Sequence, residues 1–410
     1  MKILQINAVY GTGSTGRIVE DIHTEIISRG HESFVLWGTK CKSPNSSANI
    51  IRIGKAFDHK WHALMWRLTG KQAWYSKRAT KKACEKIIEL SPDVVHLHNL
   101  HSNYINLPYL LDFLGDNDIP TLITLHDCWF FTGGCTHYLK YGCNGWEDKC
   151  ENCPMDLSQK ASKMLEARKI LFGRIKHLGV NGVSEWTTDA ARRSILEKSY
   201  KIEKIYNWID IEVFCPRNNT AEVRKKYNVP EGRKIILGVS QGWSERKGLK
   251  EFLYLAEKFK DTATIILVGR CDAHIDCDNI RLIGFTESRE ELIDLYAAAD
   301  VFVNPSRMET FGLVTVEAMA CGTPVAAYDN TGSSELVVDE CGCLAEDGNV
   351  CELFKAVGKI LDNGKCFYTQ NCIKYVKENF DKNTQIEKYI KLYETLSKTK
   401  RGEICDEYEN

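Results

Sequence analysis

The sequence lacks a net charge of either sign and lacks long hydrophobic runs. Its 410 residues hold 54 Lys and Arg against 55 Asp and Glu, so the formal net charge is −1. That balance argues against a protein that binds nucleic acid over its whole surface. No stretch reaches the roughly 18 to 20 apolar residues that a membrane-spanning helix needs. With 43% hydrophobic residues, the chain is expected to be soluble and folded, without a nucleic-acid partner.

A charged leader is also missing before the first apolar run. The segment KILQINAVY (2–10) leads directly into a glycine turn, so we interpret it as a first strand and not as a signal peptide. Without export, the 17 cysteines are expected to be mostly reduced thiols in a cytoplasm.

Short apolar segments alternate with helix-like segments along the whole chain. Most apolar segments, such as KIILGVSQ (234–241), lack strict alternation, which suits strands buried on both faces of a parallel sheet. Helix-like segments such as 248–259 complete βαβ units. The chain is too long for one compact core, so two doubly wound domains are predicted. Their predicted bounds are 1–205 and 206–380, with a helix over 381–398 crossing back to the first domain.

The first strand is followed by glycines at the spacing G-x-G-x-x-G, namely Gly11, Gly13 and Gly16. Ligands of doubly wound sheets bind beyond the carboxyl ends of strands, where glycines let backbone N–H groups approach an anion. A loop that faces a phosphate or a substrate is therefore predicted, and a tight turn without a ligand is the alternative. NAD binding would also need an acidic residue at the end of the second strand, which instead ends in Gly-Thr-Lys (38–40).

The second half holds two glutamates, Glu309 and Glu317, around a glycine that follows a strand. The loop carboxylate, the flexible backbone at Gly312 and a helix N-terminus can bind a diphosphate on amides and leave carboxylates for sugar hydroxyls. Upstream, Arg246 and Lys247 follow another strand and would meet the same phosphates. Two glutamates at this spacing are common by chance. The ordered set of a basic site, a glycine turn and an acidic loop, each after a strand, is much less common by chance.

These segments resemble the retaining glycosyltransferases of family 4. The matching motifs are GTGSTGR, HLHN, TLHD, SERKGL and ETFGLVTVEAMACGTPV with its E-x7-E signature, and they cover nearly the whole chain. The resemblance implies an α/β fold of the GT-B type, with two Rossmann-like doubly wound domains facing a cleft. It also implies a hexosyltransferase-type enzyme (EC 2.4) that moves a sugar from a nucleotide-sugar donor to a saccharide or lipid-linked saccharide. The pathway would be surface polysaccharide synthesis, such as capsule, O-antigen or exopolysaccharide.

The resemblance also implies roles for individual residues. Glu309 would touch the hydroxyls of the donor sugar, His126 would face the transferred sugar, and Lys247 would neutralise the diphosphate. Glu317 would hold the ribose hydroxyls. The full set implied to bind the donor is Gly13, Ser14, Gly16, Arg246, Phe311, Gly312, Leu313 and Glu317.

The cations of this set depart from the family at one position. Many members carry an arginine six residues before the lysine, where this chain has Gln241. Either Arg246 compensates, or Lys247 bears the phosphate charge almost alone. No D-x-D segment is placed as a metal-binding strand end, and fixed cations with a helix terminus can stabilise the leaving group. Transfer without a catalytic metal or cofactor is therefore predicted, by the front-face route proposed for the family.

One polar loop holds four cysteines at the spacing C-x7-C-x6-C-x2-C, namely Cys135, Cys143, Cys150 and Cys153. The final C-x-x-C suits a tetrahedral zinc site, and zinc would order a loop with little apolar content. Free thiols and disulfides are the alternatives, of which disulfides suit a cytoplasm least. A structural zinc is the preferred prediction. The loop follows His126, so it could shape the acceptor side of the cleft.

The stretch 55–86 is basic and aromatic, with nine Lys or Arg against two acids. Its aromatic residues are Phe57, Trp61, Trp66, Trp74 and Tyr75. Such a surface suits contact with anionic lipid headgroups, and a solvated helical face with packed aromatics is an equal alternative. The family's acceptor is often lipid-linked, which implies peripheral contact with a membrane surface. The expected location is thus the cytoplasm, up to the inner face of the cytoplasmic membrane.

Two other functions compete with the transferase. A different GT-B enzyme, such as a sugar-nucleotide epimerase, would turn over the donor alone. A non-catalytic saccharide-binding or scaffold protein would need no reactive groups, and the joint presence of Glu309, Glu317, Lys247 and His126 argues against it.

Overall fold

The computed structural model divides the chain into two compact units. The first comprises Met1–Ile205 together with the chain from Ile386 onward, and the second comprises Tyr206–Gln385. The residues that the structure describes are 1–43, 47–155 and 160–400. Each unit is built around its own parallel sheet.

The sheet of the first unit has seven strands in the order β3-β2-β1-β4-β5-β6-β7, and every neighbouring pair is parallel. The strands are β1 (Lys2–Tyr10), β2 (Glu32–Cys41), β3 (Ile50–Arg52), β4 (Val94–Leu97), β5 (Thr121–Leu125), β6 (Leu178–Gly182) and β7 (Lys201–Lys204). The strand order reverses next to β1, which is the doubly wound arrangement and creates a ligand-binding edge at the carboxyl ends.

Helices lie between most of these strands along the chain. They are α1 (Gly13–Ser28), α2 (Ala56–Thr69), α3 (Lys77–Leu90), α4 (Leu107–Asp116), α5 (Ala161–Phe172) and α6 (Glu185–Arg192). Three 3-10 turns, Trp129–Phe131, Tyr138–Tyr141 and Gly145–Glu147, lie in the segment that holds the cysteines. The last helix, α14 (Lys382–Lys400), begins in the second unit and belongs to the first from Ile386.

The central strands of the first unit are buried along their whole length. Every residue of β4, β5 and β6 is buried, as expected for apolar runs without alternation. Three of the polar side chains among them, those of His96, Thr124 and Asn181, form hydrogen bonds with helix α14. Asn181 Nδ2 donates to the Tyr389 hydroxyl at 2.6 Å, and His96 Nδ1 lies 2.7 Å from the Tyr393 hydroxyl. These hydrogen bonds offset the cost of burying polar groups in the sheet.

The sheet of the second unit has six parallel strands in the order β10-β9-β8-β11-β12-β13. The strands are β8 (Lys234–Gly242), β9 (Ala263–Arg270), β10 (Ile280–Ile283), β11 (Val301–Asn304), β12 (Val325–Asp329) and β13 (Gly342–Glu346). The helices are α7 (Thr220–Lys226), α8 (Leu249–Lys258), α9 (Arg289–Ala298), α10 (Leu313–Ala320), α11 (Thr331–Ser334), α12 (Val350–Asn363) and α13 (Lys365–Asn379). The predicted α/β class with two doubly wound Rossmann-like units is confirmed.

A membrane-crossing element is not found among the described helices. None of them within 1–43, 47–155 and 160–400 combines the length and the hydropathy needed to span a bilayer.

Helix α8 packs closely on β8 because the strand has no side chain at Gly238. A Cβ built at this glycine would lie 2.4 Å from Cζ of Phe252, a fully buried residue of α8. Phe252 in turn packs edge-to-face on Trp243, with ring centroids 5.1 Å apart. This contact fixes the path of the chain where it leaves β8 towards Lys247.

Replacing Gly238 with alanine should therefore overpack this contact. We expect Gly238→Ala to lower the free energy of unfolding by about 1–3 kcal/mol, measured by urea denaturation followed by circular dichroism. Gly284→Ala is the matched control, since a Cβ there would meet nothing within 4 Å. Equal denaturation midpoints for the two variants would contradict the packing argument.

Candidate functional site

In the second unit, the predicted cation and carboxylate meet as an ion pair. Lys247 lies in the 3-10 turn after β8, Glu309 lies in the loop after β11, and these two strands are neighbours in the sheet. The Lys247 Nζ contacts Glu309 Oε1, and the two side chains remain 23% and 19% exposed. The pair thus stands at the carboxyl edge of the sheet, within reach of solvent.

The loop of Glu309 is held by the segment that follows β12, the next strand of the sheet. The Glu309 N–H donates to Thr331 Oγ1 at 3.0 Å, and the Gly332 N–H donates to the Glu309 carbonyl at 2.9 Å. Three adjacent strand ends therefore fix one carboxylate. The sequence prediction missed Thr331, although the run Asn-Thr-Gly-Ser-Ser after a strand was a signal for a polar turn at this edge.

The second glutamate, Glu317, is positioned by a buried tyrosine. Its Oε2 accepts a hydrogen bond from the Tyr296 hydroxyl at 2.9 Å. Burial, followed by the nearby Glu317 carboxylate, raises the pKa of Tyr296 well above its ordinary value, so the hydroxyl stays a donor. Nothing in the sequence around Tyr296 singled it out, because its role depends on a contact between two helices.

The turn between the two glutamates presents the N-terminus of helix α10. Gly312 has φ +94°, a conformation that suits glycine and lets the chain turn from the loop into the helix. Phe311 is buried, with its ring 5.7 Å from that of Phe380, and Leu313 is half-buried. The side chains thus anchor the turn. The first amides of a helix lack partners within the helix and favour an anion.

A second cation, Arg246, is half-buried in the same turn as Lys247, and Gln241 is exposed. The Arg246 carbonyl accepts from the Arg307 N–H at 3.0 Å, which links the turn to the loop after β11. The Arg307 guanidinium lies 3.5 Å from Asp347 and over the Tyr328 ring at 5.3 Å. Arg307 was not among the predicted site residues. Its positive charge interacts with the Asp347 carboxylate and the Tyr328 ring.

In the first unit, the glycine loop forms a tight turn and exposes the start of α1. Gly11 and Gly13 have φ +64° and +66°, and the Gly11 N–H donates to the Gly16 carbonyl at 2.9 Å. A Cβ at the buried Gly16 would lie 3.1 Å from Cγ2 of Val9. Gly13 and Ser14 are exposed. The glycines are therefore needed for a tight turn, and the N-terminus of α1 is also accessible to solvent.

His126 follows β5 and belongs to a chain of hydrogen bonds. Its Nε2 lies 2.9 Å from His98 Nδ1, and His98 Nε2 lies 3.1 Å from Gln5 Oε1. The Gln5 amide is oriented by its Nε2, which donates to the Val19 carbonyl. Because Gln5 Oε1 can only accept, a neutral His98 donates to it and accepts from the His126 Nε2–H. Burial lowers the pKa of His126 to about 4, so this ring is neutral at pH 7.

His101, three residues after His98 in the segment HLHNLH, contacts Asp127, the residue that follows His126. Its Nε2 lies 2.9 Å from Asp127 Oδ2, and Asp127 Oδ1 accepts from the Trp129 N–H at 2.8 Å. Burial alone would raise the pKa of Asp127, but the His101 contact and the Trp129 amide outweigh it and keep this pKa below its ordinary value. Gln5 and Asp127 thus position the histidines, and the motif reading gave neither a role.

The four loop cysteines line one pocket of about 340 Å³ in the first unit. All four, Cys135, Cys143, Cys150 and Cys153, are free thiols. The Gly145 N–H donates to Cys143 Sγ at 3.4 Å, and the His137 main chain hydrogen bonds to the Cys135 sulfur. Within the described ranges, no three His, Cys, Asp or Glu side chains are arranged to hold a metal ion. The zinc site stays a prediction, with its four sulfurs around one pocket.

Comparison with known proteins places these sites in context. Residues 219–379, most of the second unit, match the family model described as glycosyl transferases group 1. The putative colanic acid biosynthesis glycosyl transferase WcaC of Escherichia coli is 22% identical over 370 residues, which cover 86% of this chain and 89% of that protein. The D-inositol 3-phosphate glycosyltransferase of Mycolicibacterium smegmatis is 25% identical and covers 70% of this chain and 73% of its own.

Solved structures show the same fold over nearly the whole chain. Sucrose-phosphate synthase from Thermosynechococcus elongatus has a TM-score of 0.68 at 19% identity and covers 97% of this chain and 100% of its own. Anabaena HepE in complex with UDP and glucose has a TM-score of 0.67 at 18% identity, with coverages of 96% and 100%. This likeness shows the α/β GT-B fold. The family match and the named relatives support a glycosyltransferase enzyme.

Proposed function

We propose that the chain is a retaining transferase that moves a sugar from a nucleotide-sugar donor to a saccharide or lipid-linked saccharide in surface polysaccharide synthesis. The observation that carries the proposal is the accessible Lys247–Glu309 pair beside the N-terminus of α10. Two comparisons support it. The Escherichia coli relative is named for colanic acid biosynthesis, and the Anabaena neighbour was solved with UDP and glucose.

In this proposal the donor diphosphate separates the ion pair. Lys247 turns to the phosphates, Arg246 adds a second positive charge, and Glu309 is released to accept hydrogen bonds from the sugar hydroxyls. The amides of Phe311, Gly312 and Leu313 contact the same phosphates at the helix N-terminus. Glu317, held by the Tyr296 hydroxyl, binds the ribose hydroxyls. In this proposal the exposed residues Gly13 and Ser14 and the buried Gly16 belong to the loop that serves the donor phosphates and the acceptor.

The reaction breaks the bond between the anomeric carbon and the diphosphate oxygen. The electron pair leaves with the diphosphate, and Lys247 with the helix amides stabilises the charge that develops there. The acceptor hydroxyl attacks the anomeric carbon on the same face, and its proton passes to the departing phosphate. This route retains the anomeric configuration and needs no group from outside the chain and its two substrates.

Removing the Lys247 charge should weaken donor binding. We expect Lys247→Ala to raise the dissociation constant for the preferred sugar nucleotide by about 10- to 100-fold, because a charge-assisted hydrogen bond is lost. The measurement is calorimetry against UDP-, GDP-, dTDP- and ADP-sugars. Lys250→Ala is the control, since Lys250 is 73% exposed and pairs with Glu245 on the surface. Unchanged affinity in Lys247→Ala would remove the assigned role.

Glu309→Gln should affect turnover more than binding. The variant keeps the shape of the side chain but loses its charge, so we expect the transfer rate to fall about a hundredfold while donor affinity changes less than about tenfold. Donor hydrolysis by wild type and Glu309→Ala gives a simpler comparison, and equal rates would sink the assignment. An epimerase would instead convert the donor without an acceptor, which analysis of the recovered nucleotide sugar would reveal.

We further propose that His126 contacts the transferred sugar as a neutral ring. Because burial lowers the pKa of His126 to about 4, the ring keeps its hydrogen bonds as the pH falls past the ordinary histidine value of about 6.5. We therefore expect kcat/KM to show no acid limb near pH 6.5 that depends on His126. An acid limb there that disappears in His126→Asn would contradict the neutral role. His274→Asn, at an exposed site of the second unit, serves as control.

We also propose that Cys135, Cys143, Cys150 and Cys153 hold a structural zinc. Zinc bound by thiolates would order the polar loop, so its removal should lower the melting temperature. Elemental analysis of protein produced with added zinc should find one equivalent, and Cys150→Ser should lose it. Cys366→Ser, which replaces an exposed thiol elsewhere, should keep it. If wild-type protein produced in this way contains no zinc, the zinc proposal is refuted and the free-thiol alternative stands.

A further inference from the structure

One residue of the second unit, Thr331, has a backbone conformation that suits glycine. Its φ is +46°, in the left-handed region. Nine non-glycine residues within the described ranges 1–43, 47–155 and 160–400 share a positive φ, and Thr331 is the only β-branched one among them. A β-branched residue is an outlier in this region, because its side chain crowds the backbone. Strain of this kind persists only where the surrounding structure imposes it, and it is concentrated at functional sites.

The strained turn at Thr331 binds the backbone of Glu309 on both sides of its Cα. The Thr331 Oγ1 accepts a hydrogen bond from the Glu309 N–H at 3.0 Å. The next amide along the chain, that of Gly332, donates to the Glu309 carbonyl at 2.9 Å. With this turn, one side chain and the main-chain amide that follows it reach the same residue. The position of the Glu309 Cα is therefore set by two consecutive residues of another loop.

The Thr331 hydroxyl is itself oriented by Asn330. It donates to Asn330 Oδ1 at 3.3 Å, so its proton is engaged and a lone pair is left for the Glu309 N–H. The Asn330 Nδ2 donates in turn to the Ser306 carbonyl at 3.1 Å and to Asp347 Oδ1 at 2.6 Å. Ser306 follows β11 and Asp347 follows β13, so the turn after β12 is tied to the loops of both neighbouring strands.

We propose that Thr331 is a positioning residue that holds the Glu309 carboxylate towards the donor sugar, and that its strained backbone serves this contact. Glycine would adopt the turn without strain, yet it has no hydroxyl to accept from the Glu309 N–H. The Glu309 side chain is partly exposed, and in the proposed function its end leaves Lys247. The Glu309 Cα must then stay in place, because the carboxylate has to meet a particular hydroxyl of the sugar. The inference rests on the proposed function, since it takes from it the role of Glu309.

Two variants test the hydroxyl of Thr331. Thr331→Val keeps the shape of the side chain and removes the acceptor of the Glu309 N–H, whereas Thr331→Ser keeps the hydroxyl. The rate measured is hydrolysis of the sugar nucleotide that wild type binds best among UDP-, GDP-, dTDP- and ADP-sugars. We expect Thr331→Val to lower this rate about tenfold or more and to change donor affinity less than about threefold, because a misplaced group mainly lowers turnover. Thr331→Ser should recover most of the rate.

A double-mutant cycle shows whether Thr331 acts through Glu309. In a Glu309→Gln background the carboxylate is absent, so Thr331→Val should change the hydrolysis rate less than about threefold. A merely structural role of Thr331 would lower the rate by the same factor in both backgrounds. Thr262→Val is the matched control and should keep the wild-type rate. Thr262 is exposed and precedes β9, at the opposite edge of the sheet.

The strain is tested by the melting temperatures of alanine and glycine variants, both of which lack the hydroxyl. At an ordinary position the alanine variant is the more stable one, because glycine loses more conformational freedom on folding. At position 331 we expect the reverse order, with Thr331→Gly melting about 2–4 °C above Thr331→Ala. Thr262→Gly should melt below Thr262→Ala, since Thr262 is not among the described residues with a positive φ.

Three results would overturn the inference. They are a wild-type hydrolysis rate in Thr331→Val, an equal loss of rate in both backgrounds of the cycle, and a lower melting temperature for Thr331→Gly than for Thr331→Ala. Failure of the proposed function is a different result, in which wild type binds and hydrolyses none of the sugar nucleotides. The positioning role would then be refuted together with that function, and the order of the melting temperatures would still decide whether Thr331 is strained.

Discussion

The proposed site of the second unit depends on the ion pair between Lys247 and Glu309, which remains partly exposed to solvent. Lys247 and Glu309 meet because β8 and β11 are adjacent and parallel, so the loops after them emerge at the same edge. Both side chains keep about a fifth of their surface in solvent, and pairs of this kind contribute little net stability. In the proposed function, this small net stability lets a diphosphate replace the carboxylate at the lysine. A fully buried pair would resist that exchange.

The groups around this pair are fixed while the pair itself can rearrange. The backbone of Glu309 is tied to Thr331, and the Glu317 carboxylate is tied to the Tyr296 hydroxyl. Phe311 is locked in the core next to the Gly312 turn. The partly exposed elements of this site are thus the ends of two long side chains. This division suits a site that must admit an anionic ligand without remodelling its backbone.

The sequence predicted the two doubly wound units, because local patterns determine the strands and helices that build them. Apolar runs marked the strands, and parallel pairing then put the residues after β8 and β11 together. The supporting contacts could not be predicted. Tyr296, Thr331 and Gln5 act through hydrogen bonds to segments 21, 22 and 93 residues away. The exposure of Phe57 and Trp61 was left open by the sequence, because the stretch 55–86 fits an exposed face as well as a packed one.

The hydrogen bonds of Gln5 determine which ring nitrogens of His98 and His126 carry the proton. The Gln5 amide is locked by the Val19 carbonyl, so it presents only its oxygen to His98. That single orientation selects one tautomer of His98 and, through it, one tautomer of His126. A side chain on β1 thus decides which ring nitrogen of His126 is an acceptor. An apolar residue of the same shape at position 5 would remove the acceptor that selects the His98 tautomer. The two neutral imidazoles could then exchange tautomers, and their ring nitrogens would no longer have fixed donor and acceptor roles.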